Sequence, residues 1–257
     1  MKISIICVCL NSQETIYDCL FSISNQTYRD FELIIIDGNS TDKTLSIINN
    51  FKKEIPKIKI LSEKDQGVYD AMNKGIKIAD GEIIAFLNSD DFYCNKDVLN
   101  QIFKIFDNNP KIDCCYSDLV YVKRKKPKKK IRYWKSKYYI NGSFSKGWMV
   151  PHPTFFARKS IYDKYGKFNL KYKFASDVDL MIRFFEVKKI NFKYIPKIFI
   201  YMRLGGITNQ SIKNIYLQNI EILRSLRSHN LQSNLFVFFF FKIFHRFKQY
   251  FFKRSNL

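Results

Sequence analysis

The sequence predicts an α/β protein whose mainly parallel, Rossmann-like sheet is covered by helices on both faces. Through the first hundred residues, apolar runs rich in β-branched side chains alternate with helical patterns, and this alternation is typical of parallel sheets. Polar residues follow each apolar run directly, as expected where strands end at a ligand-binding edge. With 46% hydrophobic and 17% aromatic residues, the chain has the composition of a folded protein.

The individual elements follow from the periodicity of the apolar residues. The first four strands are predicted at 3–8, 31–36, 57–61 and 82–87. The helical patterns between them pass through Ile16, Leu20 and Ile23 and then cover 44–51 and 68–79. Farther along the chain, the pattern predicts a strand at 112–122 and a helix at 212–229.

The polar residues at the four strand ends include Asn11, Asp37, Asp65 and the stretch 88–91. The chain has neither GxGxxG nor GxxxxGK[ST], so the phosphate loops of dinucleotide enzymes and P-loop ATPases are absent. A carboxylate-rich edge repels a phosphate ester unless a divalent cation lies between them. We therefore expect Asp90, helped by Asp91, to hold Mg²⁺ or Mn²⁺. The alternative is that the two residues only cap a turn.

Charge and cysteine content restrict the partners and the compartment. The chain carries 44 Lys and Arg against 23 Asp and Glu, a formal net charge of +21. This excess reflects either a skewed residue composition or an anionic partner such as a membrane surface, a nucleic acid or a phosphorylated substrate. The six cysteines show no CxxC pairing, and we expect reduced cytosolic thiols.

Six stretches of the chain resemble glycosyltransferase family 2, whose members use nucleotide sugars and have the GT-A fold. They are, in chain order, ISIICVCLNSQETIYDCLFSISNQTY, FELIIIDGNSTDKT, SEKDQGVYDAMNKGI, GEIIAFLNSDD, PHPTFFARKSIYDKYGKFN and ASDVDLMIRF. The resemblance covers about residues 1–210. It implies a nucleotide-sugar-binding half at 1–110 and an acceptor half at 111–210.

The resemblance assigns the donor site to the first half of the chain. Asp37 would hydrogen-bond the nucleotide base. The family's DxD motif corresponds to Asn88–Asp90, with an amide in place of the first carboxylate, so the metal would rest mainly on Asp90, helped by Asp91. The residues expected to bind the nucleotide sugar are Cys9, Leu10, Asn11, Asp37, Asp65, Gly67, Asn73, Asn88 and Ser89.

In the second half, the resemblance places the catalytic base at Asp177, supported by Asp179. Ser176 stands where the family usually has Glu. Acidic residues here also suit a helix N-terminus, so a capping pair is the alternative. His152 is expected to contact the diphosphate, the metal or the acceptor, or otherwise to be structural.

Two further segments of the acceptor half permit a functional and a plain interpretation. The basic run 123–132 is either a solvated hairpin tip or a contact for an acidic acceptor or for lipid phosphates. The loop 204–208 contains two glycines, which would allow motion over the site, although a simple turn explains them equally well.

The tail, 211–257, is predicted to be helical, and its last part is rich in Phe and Lys. In a helix, Phe240, Phe244, Phe247 and Phe251 share one face, and Lys242, Arg246, Gln249 and Lys253 share the opposite one. Such a helix lies in a bilayer interface but is too interrupted to span it. We expect 231–257 to contact an anionic membrane surface; packing on the catalytic domain or on a partner subunit is the alternative.

These observations predict an inverting, metal-assisted glycosyltransferase. It would move a sugar from a nucleotide sugar, with UDP the expected nucleotide, to a hydroxyl of a lipid-linked or surface-polysaccharide acceptor. The enzyme would be cytoplasmic and peripheral on the inner face of the cell membrane. The alternatives are a metal-dependent nucleotidyltransferase acting on sugar phosphates and a nucleic-acid-binding module, but the aligned strand ends favour an enzyme without a nucleic-acid partner. The donor sugar, acceptor, linkage and oligomeric state stay open.

Overall fold

The computed structural model describes residues 1–55, 57–206 and 211–251, and in these ranges nine strands form one sheet. The strands are β1 (Ile3–Cys9), β2 (Phe31–Asp37), β3 (Ile58–Ser62), β4 (Ile83–Phe86), β5 (Phe92–Tyr93), β6 (Cys114–Lys123), β7 (Lys126–Trp134), β8 (Phe156–Arg158) and β9 (Phe192–Arg203). The helices are α1 (Ile16–Ser24), α2 (Thr44–Asn50), α3 (Val68–Ile78), α4 (Val98–Asp107), α5 (Lys159–Tyr165), α6 (Ser176–Ile182), α7 (Ile212–Ser228) and α8 (Leu235–Phe251).

The strand order explains where the predicted edge lies. It is β3-β2-β1-β4-β8-β6-β9-β5, with β7 paired to β6. β3, β2, β1 and β4 are mutually parallel, which confirms the α/β class. β8 runs antiparallel to both β4 and β6, so the second half of the sheet has mixed strand directions. The carboxyl ends of β1, β2 and β4 therefore meet at one edge.

Apolar layers cover both faces of the sheet. Every residue of β2 is buried, and its side chains alternate between the two faces. Ile34 and Ile36 pack in the layer that contains Met72 and Ile76 of α3. Leu33, on the opposite face, packs in the layer formed with α1, α2 and α4. Burial on both faces explains why the strands read as continuous apolar runs.

Two segments of the acceptor half each permit two interpretations from the sequence. The basic run 123–132 includes the last residue of β6, the turn that follows and most of β7, so it forms the tip of a β-hairpin. In the glycine loop, Gly205 has a φ of +108°, a conformation that favours glycine. Residues Ile207 and Thr208 of that predicted loop lie outside the described residues.

The C-terminal helices pack on the catalytic part of the chain. Ile222 and Leu226 of α7 and Phe238 of α8 are buried in the same apolar layer as α3 and α6. Among the described residues, no helix is long and apolar enough to cross a membrane. All six cysteines are free thiols, and five of them are buried.

Candidate active site

The loop after β1 is held to the neighbouring loops by side-chain hydrogen bonds. Asn11 has a φ of +47°, and its Oδ1 accepts a hydrogen bond from the Thr41 backbone N–H at 2.9 Å. The hydroxyls of Ser12 and Ser89 lie 2.8 Å apart, which joins the loops after β1 and β4. Asn11 and Ser89 therefore both lie at the edge where the sequence predicts the donor site.

Asp37, at the end of β2, is buried and fully engaged within the protein. Its carboxylate accepts hydrogen bonds from the Ser40 backbone N–H at 3.0 Å and from the Ser62 hydroxyl at 2.6 Å. Burial acts to raise the pKa of Asp37, but the hydrogen bonds from Ser40 and Ser62 hold it below its usual range. Cys9 is buried beside it and directs its thiol to the same carboxylate, so Cys9 can offer a ligand only its backbone.

The turn that follows Asp37 is flanked by Leu10 and Asp65. A Cβ on Gly38 would lie 2.9 Å from Oδ2 of Asp65 and 3.5 Å from Cδ1 of Leu10, so glycine allows both side chains to close around this turn. Leu10 is 58% exposed. Asp65 also accepts a hydrogen bond from the Gly67 N–H at 2.8 Å. An exposed apolar side chain opposite a carboxylate suits a flat, polar-edged ring such as a nucleotide base.

The turn Asn88–Asp91 presents one carboxylate outward and one inward. The Asp91 N–H donates to the Asn88 carbonyl at 2.9 Å, which closes the turn. Asp91 is buried and accepts from the Arg203 backbone N–H at 3.1 Å. The Asp90 side chain keeps 25% of its surface exposed, with Arg124 Nη1 3.6 Å from its Oδ2. The two carboxylates therefore have different environments.

The residues of this turn fit a divalent cation that arrives with a nucleotide. Burial raises the pKa of Asp90, and Arg124 only partly opposes this effect; a desolvated carboxylate gains from an added positive charge. Among the described residues, no group of three or more His, Cys, Asp and Glu side chains could form a complete cage for a metal. Mg²⁺ and Mn²⁺ commonly take one or two carboxylates and complete their shell with substrate phosphates and water.

In the acceptor half, the carboxylate residue Asp177 lines a separate pocket. The pocket is lined by Phe144, Met149, Val150, His152, Asp177, Val178 and Met181. Asp177 is in the first turn of α6, and its Oδ1 accepts a hydrogen bond from the Tyr69 hydroxyl at 2.8 Å. Burial, followed by the charge of Asp177, raises the pKa of Tyr69 well above its usual value. Tyr69 therefore stays protonated and orients the carboxylate.

His152 shares this pocket. Its ring stacks on Phe86, with ring centroids 5.4 Å apart, and burial lowers its pKa, an effect that Asp177 partly opposes. Its Nε2 is buried and has no hydrogen-bond partner among the described residues. A neutral imidazole with an unused nitrogen beside Asp177 is available to a substrate group.

Two other predicted site residues are used inside the fold. Asp179 is buried and accepts hydrogen bonds from Ser225 at 2.7 Å and from His229 at 3.1 Å, so its carboxylate ties α6 to α7 and does not line the pocket. The amide of Asn73 pairs with both the N–H and the carbonyl of Phe168. Asn73 therefore positions the loop before α6. Ser176 is buried and donates to a backbone carbonyl at 2.9 Å.

Sequence reasoning missed three charged residues at this site. Buried Arg203 donates to the Asp90 carbonyl at 2.8 Å and pairs with Asp18, which fixes the carboxylate turn. Glu221 of α7 accepts from the N–H groups of Phe174 and Ala175 at 2.7 and 3.0 Å, just before α6. Lys242 of α8 forms a hydrogen bond with Asn219 of α7. Nothing in their local sequence signals these roles, because their partners are distant along the chain.

Known proteins match both the sequence and the architecture. Residues 4–166 match the family described as Glycosyl transferase family 2. A PGL/p-HBAD biosynthesis glycosyltransferase of Mycobacterium tuberculosis is 31% identical over 221 residues, covering 85% of this chain and 84% of the relative. The Escherichia coli UDP-Glc:alpha-D-GlcNAc-diphosphoundecaprenol beta-1,3-glucosyltransferase WfaP is 40% identical over 116 residues, or 45% of each chain. These matches confirm the family resemblance.

Solved structures confirm the GT-A architecture. Staphylococcus aureus TarS 1-349 in complex with UDP-GlcNAc superposes with a TM-score of 0.71 at 21% identity, covering 100% of this chain and 74% of TarS. The Pyrobaculum calidifontis mannosyltransferase PcManGT in complex with GDP-Man and Mn²⁺ gives a TM-score of 0.65 at 18% identity, covering 86% of this chain and 64% of that protein. At these identities, the structures support the fold alone.

Proposed function

Because the chain belongs to glycosyl transferase family 2 and is a glycosyltransferase, we propose that it transfers a sugar from a UDP-sugar to a hydroxyl of a lipid-linked or surface-polysaccharide acceptor, with inversion. The observation that carries this proposal is the pocket that Asp177 and His152 line: Tyr69 orients the Asp177 carboxylate, and the buried His152 Nε2 has no hydrogen-bond partner among the described residues. The family predicts a base at this position.

The donor would lie along the edge formed by β1, β2 and β4. Leu10 and Asp65 would flank the base, next to the Gly38 turn, while Asp37 holds that turn from below through Ser40. Uracil is the proposed base because WfaP is named for UDP-Glc and TarS was solved with UDP-GlcNAc. The donor diphosphate would extend toward Asn88, Ser89 and Asp90.

Mg²⁺ or Mn²⁺ would be held by Asp90, while Asp91 and Arg203 fix the turn beneath it. When bound, such a cation offsets the negative charge that develops on a leaving diphosphate. Arg124, 3.6 Å from the Asp90 carboxylate, is a further positive group beside the same site. The Mn²⁺ in PcManGT supports the choice of ion.

Asp177 would accept the proton of the acceptor hydroxyl. The acceptor oxygen then forms a bond to the anomeric carbon as the bond to the donor phosphate oxygen breaks, and the electron pair leaves with the diphosphate. Attack opposite the leaving group inverts the anomeric configuration. Tyr69 fixes the carboxylate, and His152 would contact the acceptor or the transferred sugar.

The membrane surface would meet the exposed face of α8. Phe236, Phe240, Ile243 and Phe247 are 61–89% exposed, whereas Phe238 faces the protein. Burial of each exposed side chain in an apolar phase would contribute about 1.5–3 kcal/mol, and nearby Lys and Arg add about 1 kcal/mol each on anionic lipid. The acceptor of WfaP is a diphosphoundecaprenol, so a lipid-linked acceptor on the cytoplasmic face agrees with this placement.

Transfer assays with separate donor and base variants test the proposal. Membrane extracts serve as the acceptor source, and release of UDP from UDP-glucose and from UDP-GlcNAc is measured with Mn²⁺ and after chelation. We expect Asp177→Asn to reduce turnover about 100-fold or more while UDP still binds, and Asp90→Ala to weaken Mn²⁺-dependent UDP binding. Asp163→Asn on α5 is the control. Wild-type turnover in Asp177→Asn, or unchanged UDP binding after chelation, would refute the assignments.

A further inference from the structure

The α8 helix packs directly against the turn that leads into the Asp177 pocket. Gly147, in that turn, has a φ of +73°, and a Cβ there would lie 2.6 Å from the Phe238 carbonyl and 3.1 Å from the Lys242 Cβ. Phe238 is fully buried. Residues Met149, Val150 and His152, which line the pocket, follow the same turn. The position of α8 is therefore fixed relative to the pocket.

Lys242 lies on the docked side of α8 and is partly buried. Its Nζ donates to Asn219 Oδ1 at 2.5 Å and lies 5.4 Å from the centre of the Phe238 ring. Among the described residues, no carboxylate lies within 4.0 Å of this Nζ. An ammonium group has three donors, so two remain for another partner.

Two charged residues act on the pKa of Lys242: Arg246 of the same helix and Asp177 of the proposed catalytic site. Burial and Arg246 lower the pKa of Lys242 to about 8, while Asp177 acts in the opposite direction. Burial raises the pKa of Tyr121, and the charge of Arg246, one turn farther along α8, acts in the opposite direction. By its packing, α8 places the charge of Lys242 beside the turn that leads to the Asp177 pocket.

Resting on the proposed glycosyl transfer, we propose that Lys242 is an acceptor-specificity residue that binds the phosphate oxygens of a diphosphate-bearing acceptor. A partly desolvated cation that has no carboxylate partner among the described residues gains strongly from an anion. α8 exposes its Phe face on one side, and on the other it packs Lys242 against the Gly147 turn, which leads to the pocket that contains Asp177. A lipid diphosphate whose tail lies in the membrane can therefore reach Lys242 while its sugar hydroxyl reaches the base.

A matched pair of synthetic ligands isolates the contribution of the phosphates. GlcNAc-α-diphosphoryl-dodecyl carries the diphosphate, and dodecyl GlcNAc glycoside lacks it. Binding of each ligand, and of UDP, is measured calorimetrically with the full-length protein. We expect Lys242→Met to weaken the diphosphate ligand about tenfold, about 1.4 kcal/mol, with little effect on the neutral ligand or on UDP. Lys242→Arg should restore most of the affinity.

The controls separate the possible failures. Lys248→Met removes an exposed charge from the same helix and should change the affinity less than twofold. An equal loss of affinity for the neutral ligand would indicate a structural role, and a loss of affinity for UDP would assign Lys242 to the donor diphosphate. No loss of affinity for any ligand would exclude a phosphate contact. Each of these three results overturns the inference. Failure of the wild-type protein to bind UDP would instead overturn the proposed function.

Discussion

The two ends of the site are built in different ways. At the donor end, the loops after neighbouring strands hold one another through short polar contacts, as in the pairs Ser12–Ser89 and Asp37–Ser62. At the acceptor end, the pocket combines a residue of α3, the start of α6 and the turn before His152, and α7 and α8 pack around it. The donor end belongs to the sheet, whereas the acceptor end depends on the C-terminal helices.

This difference separates the effects expected from damage to each end. A change in the tail should affect acceptor capture and membrane contact and leave nucleotide binding intact, because the donor loops make their contacts within the sheet edge. A change at Asp37, beneath the donor edge, should affect stability first, since this carboxylate is buried and hydrogen-bonded inside the protein. Measurements that find both functions moving together would contradict this division.

Among the changes that test this division, the largest expected effect is on membrane binding. Replacing Phe240 and Phe244 together by Ser removes two exposed rings of α8, and we expect a loss of about 3 kcal/mol, roughly 100-fold in vesicle partitioning. Sedimentation with vesicles containing anionic phosphatidylglycerol measures the partitioning. UDP binding should stay within twofold of the wild-type value.

The control for this change lies in α1, which packs in the other apolar layer of the sheet. Tyr17 and Phe21 of α1 are 55% and 52% exposed, so replacing both by Ser removes a similar exposed aromatic surface. Their loss should leave vesicle binding unchanged. Equal losses in the two double variants would show that general surface hydrophobicity, and not the α8 face, drives the association.

The next effect concerns the stability of the donor edge. Asp37→Asn places amide hydrogens against the Ser40 N–H and leaves a buried donor without an acceptor, which we expect to cost about 2 kcal/mol. Urea unfolding measures the loss, with exposed Asp107→Asn as the control. Since the folded pKa of Asp37 lies below its usual range, the advantage of the wild-type protein is present above the ordinary carboxylate pKa and is lost as pH falls through the folded value. An advantage that persisted in strong acid would contradict this account.

The sheet was predictable because each strand carries its own signal. Apolar runs and the polar residues after them are local patterns, and parallel pairing brings those strand ends to one edge. The family resemblance added Asp177, which the structure places in a pocket with His152. The separate environments of Asp90 and Asp91 were not predictable, since they depend on Arg203, more than a hundred residues away.

The orientation of α8 in the C-terminal tail could not be predicted from helical periodicity. The pattern separates the Phe face of α8 from its basic face, but it does not indicate which face meets the protein. The structure packs Phe238 and Lys242 inward and leaves Phe240 and Phe244 exposed. Packing at Gly147 decides the outcome, because that turn has room for the helix backbone and for no side chain of its own.

A smaller effect is expected from the contact that orients the base. Tyr69→Phe removes the hydroxyl that donates to Asp177 at 2.8 Å and keeps the ring stacked on Phe168. We expect kcat/KM to fall about five- to tenfold, which corresponds to one lost hydrogen bond of about 1–1.5 kcal/mol. Donor binding and vesicle binding should be unchanged. A loss confined to the donor KM would place Tyr69 in the donor site and contradict the proposed role.

The smallest effect is a pH dependence that belongs to the acceptor end alone. The pKa of Lys242 is lowered to about 8, so its charge is complete below that value and is lost as pH rises through it. Affinity for the diphosphate ligand should therefore fall severalfold between about pH 7 and about pH 9. The other two charged groups that act on Lys242 are Arg246 and Asp177, and both are also present in the control variant. Lys242→Arg supplies a guanidinium that does not titrate in this range, so the variant should bind equally well across it. If the wild-type protein and the Arg variant lost affinity in parallel, another group would control binding, and Lys242 would not be the phosphate contact.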